Sequence, residues 1–302
     1  MILLKLIKYF KMTFNYYSDV YLQIKQTELK ASSYAHYVGT LNNKILPFFD
    51  ERDISTIKSS ELRLWLTNYS DKSPKTLRQY IMVLKGVFQE AFYDEVITTN
   101  PCRFLRVPKL IKNTINPFTF REVQIILDHV DNEKFKHYLY IAFYTGLRSG
   151  EIMALKKEDV NFEAQTISIN KTRGRFGETT PKTQGSIRTI PIFDLLMPHL
   201  KNLYNSHAAE YLFITQYGKP YQHNETFYQK FWLPIFDDID IPYRRLYNTR
   251  HTFATMMLSK GYITPHKLAQ ILGHRDSNMV HQVYARFIDD GKFDFEMDLV
   301  LY

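Results

Sequence analysis

The sequence predicts a mainly α chain with a small antiparallel β-sheet in its second domain, an α+β protein in two parts. Three observations carry this. Apolar residues recur at helical spacing through most of the stretch up to Asn100. The pattern then fails across "TTNPCRFLRVPKLIKNTINPF", which holds three prolines and four cationic side chains. Beyond it helices resume, interrupted by two short stretches that alternate as strands do, "QTISIN" and "SIRTIPI". At 302 residues the chain is long for one ordinary core, and 45% hydrophobic residues are ample for two.

Taken in order, "TFNYYSDVYLQIKQ", "ASSYAHYVGTLNNKILPFF" and "SSELRLWLTNY" read as helices. The clearest is "SPKTLRQYIMVLKGVFQEAFYDEV". Ser73 can cap it, Pro74 suits the first helical position, and Leu77, Tyr80, Ile81, Leu84, Val87, Phe88 and Ala91 share a face. Its other face carries Lys75, Arg78 and Lys85. The expected boundaries are an N-terminal extension over 1–12, a helical domain over 13–105, a basic linker over 106–117 and a second domain over 118–302. The linker's Lys109 and Lys112 could pass along a phosphate backbone.

In the second domain Thr119 and Glu122 form a plausible capping box. "HYLYIAFYTG" reads as a buried helix ended by Gly146, and "SGEIMALKKEDV" as another. Between the two strands lies "KTRGRFGETTPKTQG", rich in turn formers and cations. "NETFYQKFWLPIF", "TRHTFATMMLSKG", "TPHKLAQILG" and "NMVHQVYARFI" return to helix.

A net charge of +8 favours a polyanionic partner. The single cysteine, Cys102, can form no internal disulfide and no zinc cluster, which fits a reducing, cytoplasmic setting. The opening "MILLKLIKYFKM" is broken by Lys5 and Lys8, and no later run approaches a membrane span; a short packing helix is favoured there over a stretch lying on a membrane surface, and no membrane partner is expected. Glycine-rich nucleotide loops, metal-ligand spacings and a serine nucleophile elbow are all missing from the sequence, so no cofactor or metal is expected.

What remains is Arg, Lys, His and Tyr at element boundaries. Arg148 stands at a helix start, where free backbone N–H groups already favour an anion, and Glu151 one turn on can orient its guanidinium. Arg250 and His251 again open a helix. Lys182 sits at a hairpin tip, His274 follows a helix-ending glycine, and Tyr284 lies on the last long helix.

In this order the elements resemble the tyrosine recombinase, or phage integrase, family. Its signatures stand here as "TGLRSGEI", "TRHTFAT" and "LGHRDSNMVHQVYAR", with the lysine hairpin "KTQGSIRTIPI" and the preceding "LKKEDVNF". The resemblance implies a helical core-binding domain followed by a tyrosine-recombinase catalytic domain. It implies a site-specific recombinase that breaks and rejoins DNA through a 3′-phosphotyrosyl link, without metal or ATP. Tyr284 would be the nucleophile, Arg148 and Arg250 would hold the non-bridging oxygens, Lys182 would protonate the departing 5′-oxygen, and His274 would assist the phenol and the phosphate. Glu151, Asp159 and His251 would support them. Arg173 and Arg175 are candidates for DNA-backbone contact, Arg275 and His281 for surface or backbone contact. Met279, Val280, Val283 and Phe287 would pack Tyr284 in place.

One position departs from the family pattern. Three residues before Arg250, where histidine is usual, stands Tyr247, expected to donate a hydrogen bond to phosphate but to bring no charge. The resemblance further implies double-stranded DNA as partner, a tetramer on DNA, and a directionality factor or second recombinase. The apolar tail after Asp290 would dock on a neighbouring protomer or pack in cis. The chain looks Xer-like, with the arm-binding module of many phage integrases absent or cut off. Integration or excision of a mobile element and dimer resolution both remain open as tasks. The rival readings are an accessory DNA-binding protein with impaired catalysis, and a related topoisomerase or telomere resolvase.

Overall fold

A computed structural model describes residues 12–109, 114–181, 184–274, 276–285 and 287. It divides into two compact units, Met1–Asn113 and Thr114–Tyr302.

The first unit is helical: α1 (Phe14–Glu28), α2 (Ala31–Thr40), α3 (Leu46–Phe49), α4 (Ser59–Thr67) and α5 (Pro74–Tyr93). A π-helical turn, Leu41–Ile45, makes α2 and α3 nearly continuous. Thr13 caps α1 and Ser73 caps α5, each hydroxyl accepting a backbone N–H three residues on. The buried face of α5 is Leu77, Tyr80, Val83, Leu84, Val87, Phe88 and Ala91, so Val83 faces the core and Ile81 lies at its margin. Gly86 lets α1 approach closely, since a Cβ there would sit 2.4 Å from the Tyr21 ring. Cys102 and Leu105 are buried in the same core, so the proline-rich stretch begins as part of this unit.

The second unit packs helices around α7 (Glu133–Thr145), which is buried from His137 onward apart from the half-buried Tyr140. Before it, α6 (Phe120–His129) is closed by the Thr119–Glu122 capping box. After it, Gly146 takes a left-handed conformation (φ 64°) and a Cβ there would lie 2.4 Å from the Phe253 ring. Only glycine fits, and the chain turns directly into α8 (Ser149–Ala154).

The sequence expectation of a longer helix through "SGEIMALKKEDV" is corrected here. Lys156 bridges to Tyr211 instead, and the Asp159 carboxylate accepts the Lys156 N–H at 2.8 Å. A 3₁₀ turn, Lys157–Asp159, then delivers β1 (Val160–Asn161). β2 (Thr166–Ile169) lies between β1 and β5 (Arg188–Pro191) in an antiparallel sheet, with β3 (Thr172–Gly174) and β4 (Gly177–Thr179) as a separate hairpin. The register sets Ile167 opposite Ile190 and Ile169 opposite Arg188.

Helix α9 (Met197–Asn205), unassigned by the sequence reading, leads to α10 (Glu225–Phe227), a π turn (Tyr228–Trp232) and α11 (Leu233–Asp238). α12 (Asn248–Ser259), α13 (Pro265–Leu272) and α14 (Asn278–Tyr284) complete the unit. Thr264 caps α13, and Gly273 ends it at φ 67°.

Candidate active site

Three chain reversals converge on one polar cluster: Gly146 before α8, the start of α12, and Gly273 after α13. Arg250, on the first turn of α12, is only 1% exposed. Its Nη1 donates to Gly146 O and its Nη2 to Leu272 O, both at 2.7 Å. The guanidinium thus ties together the two carbonyls that the glycine turns expose. Nη2 also donates to His274 Nε2 at 3.0 Å.

A guanidinium can only donate, so His274 Nε2 must accept and the neutral ring carries its proton on Nδ1. That Nδ1 is buried and has no hydrogen-bond partner among the described residues. Burial, then the charges of Arg250, Arg148 and Arg188, push His274 down to about 4. Burial and the Arg148 charge likewise lower Arg250 to about 10, which leaves it protonated at neutral pH.

Arg148 reaches the same place from the start of α8. Its Nη1 donates to Glu151 Oε1 at 2.9 Å and to Leu272 O at 3.4 Å, while its backbone N–H donates to Glu151 Oε2. At 37% exposure its side chain remains open to a ligand. Glu151 is 3% exposed. Burial alone would raise its carboxyl, but hydrogen bonds and charge from Arg188 and Arg148 hold it below the ordinary range.

Arg188 was not foreseen. From β5 it donates Nη2 to Glu151 Oε2 at 2.9 Å and Nη1 to Oε1 at 3.2 Å, and it also donates to Ser186 O and Ile271 O. The available signal was its phase in "SIRTIPI". Arg188 shares a strand face with Ile190, which is buried, and an inward-facing cation needs a buried carboxylate. The cluster therefore sets three guanidinium groups against one carboxylate, and neutral histidines add no charge.

Tyr284 ends α14 at 2% exposure. His251 Nδ1 lies 2.8 Å from its phenolic oxygen, so His251 and not His274 is its hydrogen-bond partner. Burial drives the phenol well above its ordinary pKa, and the Arg250 charge pulls partly the other way. Burial and Arg250 depress His251 to about 4. Val280 and Phe287 are buried and Val283 half-buried beside Tyr284, but Met279 is 50% exposed and does not contribute the packing expected of it.

Tyr247 borders this cluster, and the other candidates make different contacts. Tyr247 is half exposed and meets His251 edge-on, with centroids 5.2 Å apart. Asp159 caps its turn and pairs with Lys171 at 2.7 Å, and none of its hydrogen bonds reaches the arginine cluster. Arg173 donates to Tyr221 O and Tyr211 Oη, whereas Arg175 is exposed at the β3–β4 turn. In the first unit Lys75, Arg78, Lys85 and Lys109 are exposed, and Arg78 donates to Pro108 O at 3.3 Å. His281 is exposed. Lys112, Lys182, Arg275 and the tail after Asp290 lie outside the described residues.

This chemistry makes the second unit acid-sensitive. His251 and His274 titrate near 6.5 when unfolded and about 4 when folded, so the unfolded chain takes up protons first as pH falls. Their contribution is complete above pH 6.5 and is lost on the way down to 4, and Glu151 adds a loss only below 4.5. Urea midpoints should therefore drop between those limits. A His251→Gln/His274→Gln variant should show a shallower drop, with a remainder from His199, also held down to about 4 by burial and His137, and from His137, lowered by burial. An unchanged slope would refute the assignment.

Known proteins match both parts of the chain. A model of the phage integrase family matches residues 116–289, and one of the phage integrase N-terminal SAM-like domain matches 13–70. Among curated relatives, a "Tyrosine recombinase XerC-like" protein of Caldanaerobacter subterraneus subsp. tengcongensis is 26% identical over 275 residues, covering 79% of this chain and 70% of the relative. Among solved structures, the Tn1549 transposon integrase in complex with transposon right end DNA superposes with a TM-score of 0.75 at 22% identity, over 90% of this chain and 95% of that one. A lambda integrase tetramer bound to a Holliday junction gives 0.72 at 17%, over 88% and 78%.

Proposed function

The chain belongs to the phage integrase family, and from that premise we propose that it is a site-specific DNA recombinase that cuts and rejoins strands through a phosphotyrosyl intermediate. The observation that carries the reading is the hydrogen-bonded cluster of Arg148, Arg250 and His274 beside a tyrosine, Tyr284, that is already paired with a histidine.

A free phenol ionises at about pH 10, so attack on a phosphodiester needs charge stabilisation and a proton acceptor. Arg148 and Arg250 would bind the non-bridging oxygens, where negative charge grows as the phosphorus becomes five-coordinate. His274, with its hydrogen on Nδ1, would donate to the same phosphate. Glu151 and Arg188 would hold Arg148 in position, and Arg148's partial exposure supports its role as a phosphate ligand. Lys182 enters from the motif alone, as the acid for the leaving 5′-oxygen. One ester is exchanged for another, so bond energy is kept and no nucleotide is consumed.

Residues 13–105 would bind the core site, with 106–117 as a basic linker to the catalytic part. Lys75, Arg78, Lys85, Lys109, Lys112, Arg173 and Arg175 would contact the DNA backbone, making affinity strongly salt-dependent. The Holliday-junction tetramer of lambda integrase supports a tetramer on DNA here, with the tail after Asp290 linking protomers and a directionality factor or second recombinase assisting. No described helix is long and apolar enough to cross a membrane, and we place the protein's action in the cytoplasm.

The test is covalent capture. The protein is incubated with nicked suicide duplexes made from DNA flanking its own gene, run on a denaturing gel, and the modified peptide is mapped. An adduct on Tyr284 is the expected result. Sequence-specific binding without any adduct would favour an accessory protein with impaired catalysis, with Tyr247 the first suspect for the lost chemistry.

A further inference from the structure

We infer that His251 is the group that takes the phenolic proton from Tyr284 during cleavage and returns it during rejoining, an inference that rests on Tyr284 being the nucleophile. The geometry separates the two histidines. His274 Nε2 is occupied by a donor, Arg250 Nη2, at 3.0 Å, so its only basic lone pair is spent and its other nitrogen bears the hydrogen. It can donate to phosphate but cannot accept from Tyr284. His251 Nδ1 lies 2.8 Å from the phenolic oxygen, and the neutral ring can carry its own hydrogen on Nε2 and leave this lone pair free.

The fold holds that pair in place. His251 follows Arg250 on α12, so the phosphate ligand and the proton acceptor are adjacent on one rigid helix. The Tyr284 ring meets the imidazole at 5.8 Å, and the Tyr247 ring meets it edge-on at 5.2 Å. That gives Tyr247 a packing role against His251, distinct from the phosphate contact expected from its position in the motif.

The step balances. As the Tyr284 oxygen bonds to phosphorus, its proton passes to His251 Nδ1. The bond from phosphorus to the 5′-oxygen breaks, its electron pair stays on that oxygen, and Lys182 supplies the proton. In rejoining, the 5′-hydroxyl of the second strand attacks the phosphotyrosyl ester and gives its proton back to Lys182, while the bond from phosphorus to the Tyr284 oxygen breaks and His251, now an imidazolium, protonates that oxygen. The resting ring is a weak base because it is buried beside Arg250. Transfer is therefore coupled to bond formation rather than preceding it.

The experiment measures the rate of adduct formation on two nicked duplexes, one ordinary and one with sulfur in place of the bridging 5′-oxygen. A thiolate leaves without an acid, so sulfur relieves a leaving-group defect and not a nucleophile defect. His251→Gln should bind DNA normally yet cleave both duplexes about 100-fold or more slowly, and added imidazole should restore part of the rate of His251→Ala. Near-normal cleavage by His251→Gln overturns the inference. So does a defect that disappears with sulfur, or DNA-binding His251→Ala that imidazole fails to rescue. Wild-type protein that forms no adduct on either duplex overturns the parent reading as well.

Discussion

Tyr284→Phe should form no covalent DNA complex at all, while binding its site as tightly as the wild type. The change removes one oxygen from a ring buried in the same apolar core as Val280 and Phe287, so shape is conserved and nothing replaces the lost nucleophile. The fold should feel it modestly. His251 Nδ1 loses its hydrogen-bond partner, at a cost of roughly 1–2 kcal/mol, readable as a small fall in the urea midpoint. Adduct persisting at the same rate would place the nucleophile elsewhere, and Tyr247, half exposed with its ring against His251, would be examined next.

Arg250 should be the most costly residue of the cluster to lose, because it serves fold and chemistry together. Arg250→Ala strands the Gly146 carbonyl and weakens the hold on Leu272 O, to which Arg148 contributes only a longer contact at 3.4 Å. Unpaired buried acceptors and the emptied volume should destabilise the second unit by roughly 2–4 kcal/mol. Cleavage should fall by about 1,000-fold or more, since a phosphate donor is lost and His274 loses the bond that sets its tautomer. Arg250→Lys is the sharper test. It keeps a positive charge, but one ammonium cannot span two carbonyls, an imidazole and a phosphate as a planar fork can. Stability should recover in part while cleavage remains about 100-fold down. A lysine variant with the wild-type rate would mean that charge alone suffices.

Much of the fold was legible because its signals are local. The Ser73 cap, the Thr119–Glu122 box, and the glycines at 146 and 273 each act within a few residues, and each forms as its motif predicts. The error at "SGEIMALKKEDV" has the opposite origin. Propensity favours helix there, but a bridge from Lys156 to Tyr211 and the Asp159 side chain redirect the backbone into a sheet. Met279 fits the apolar pattern of α14 yet faces outward, since periodicity marks a stripe without saying how far the core extends around it.

The sequence by itself determined most of the longer helices, the division into two parts and the identity of the residues on which the family resemblance rests, because motifs are written in neighbouring positions. Only the tertiary structure decided how those residues are wired. Arg188 meets Glu151 across 37 positions, Tyr284 meets His251 across 33, and Arg250 reaches Gly146 across 104. No local periodicity encodes such pairs. They follow from burying guanidinium and carboxylate groups that must each find a partner once water is excluded. The same constraint sets the hydrogen on His274 Nδ1 and leaves His251 as the histidine within hydrogen-bond reach of Tyr284.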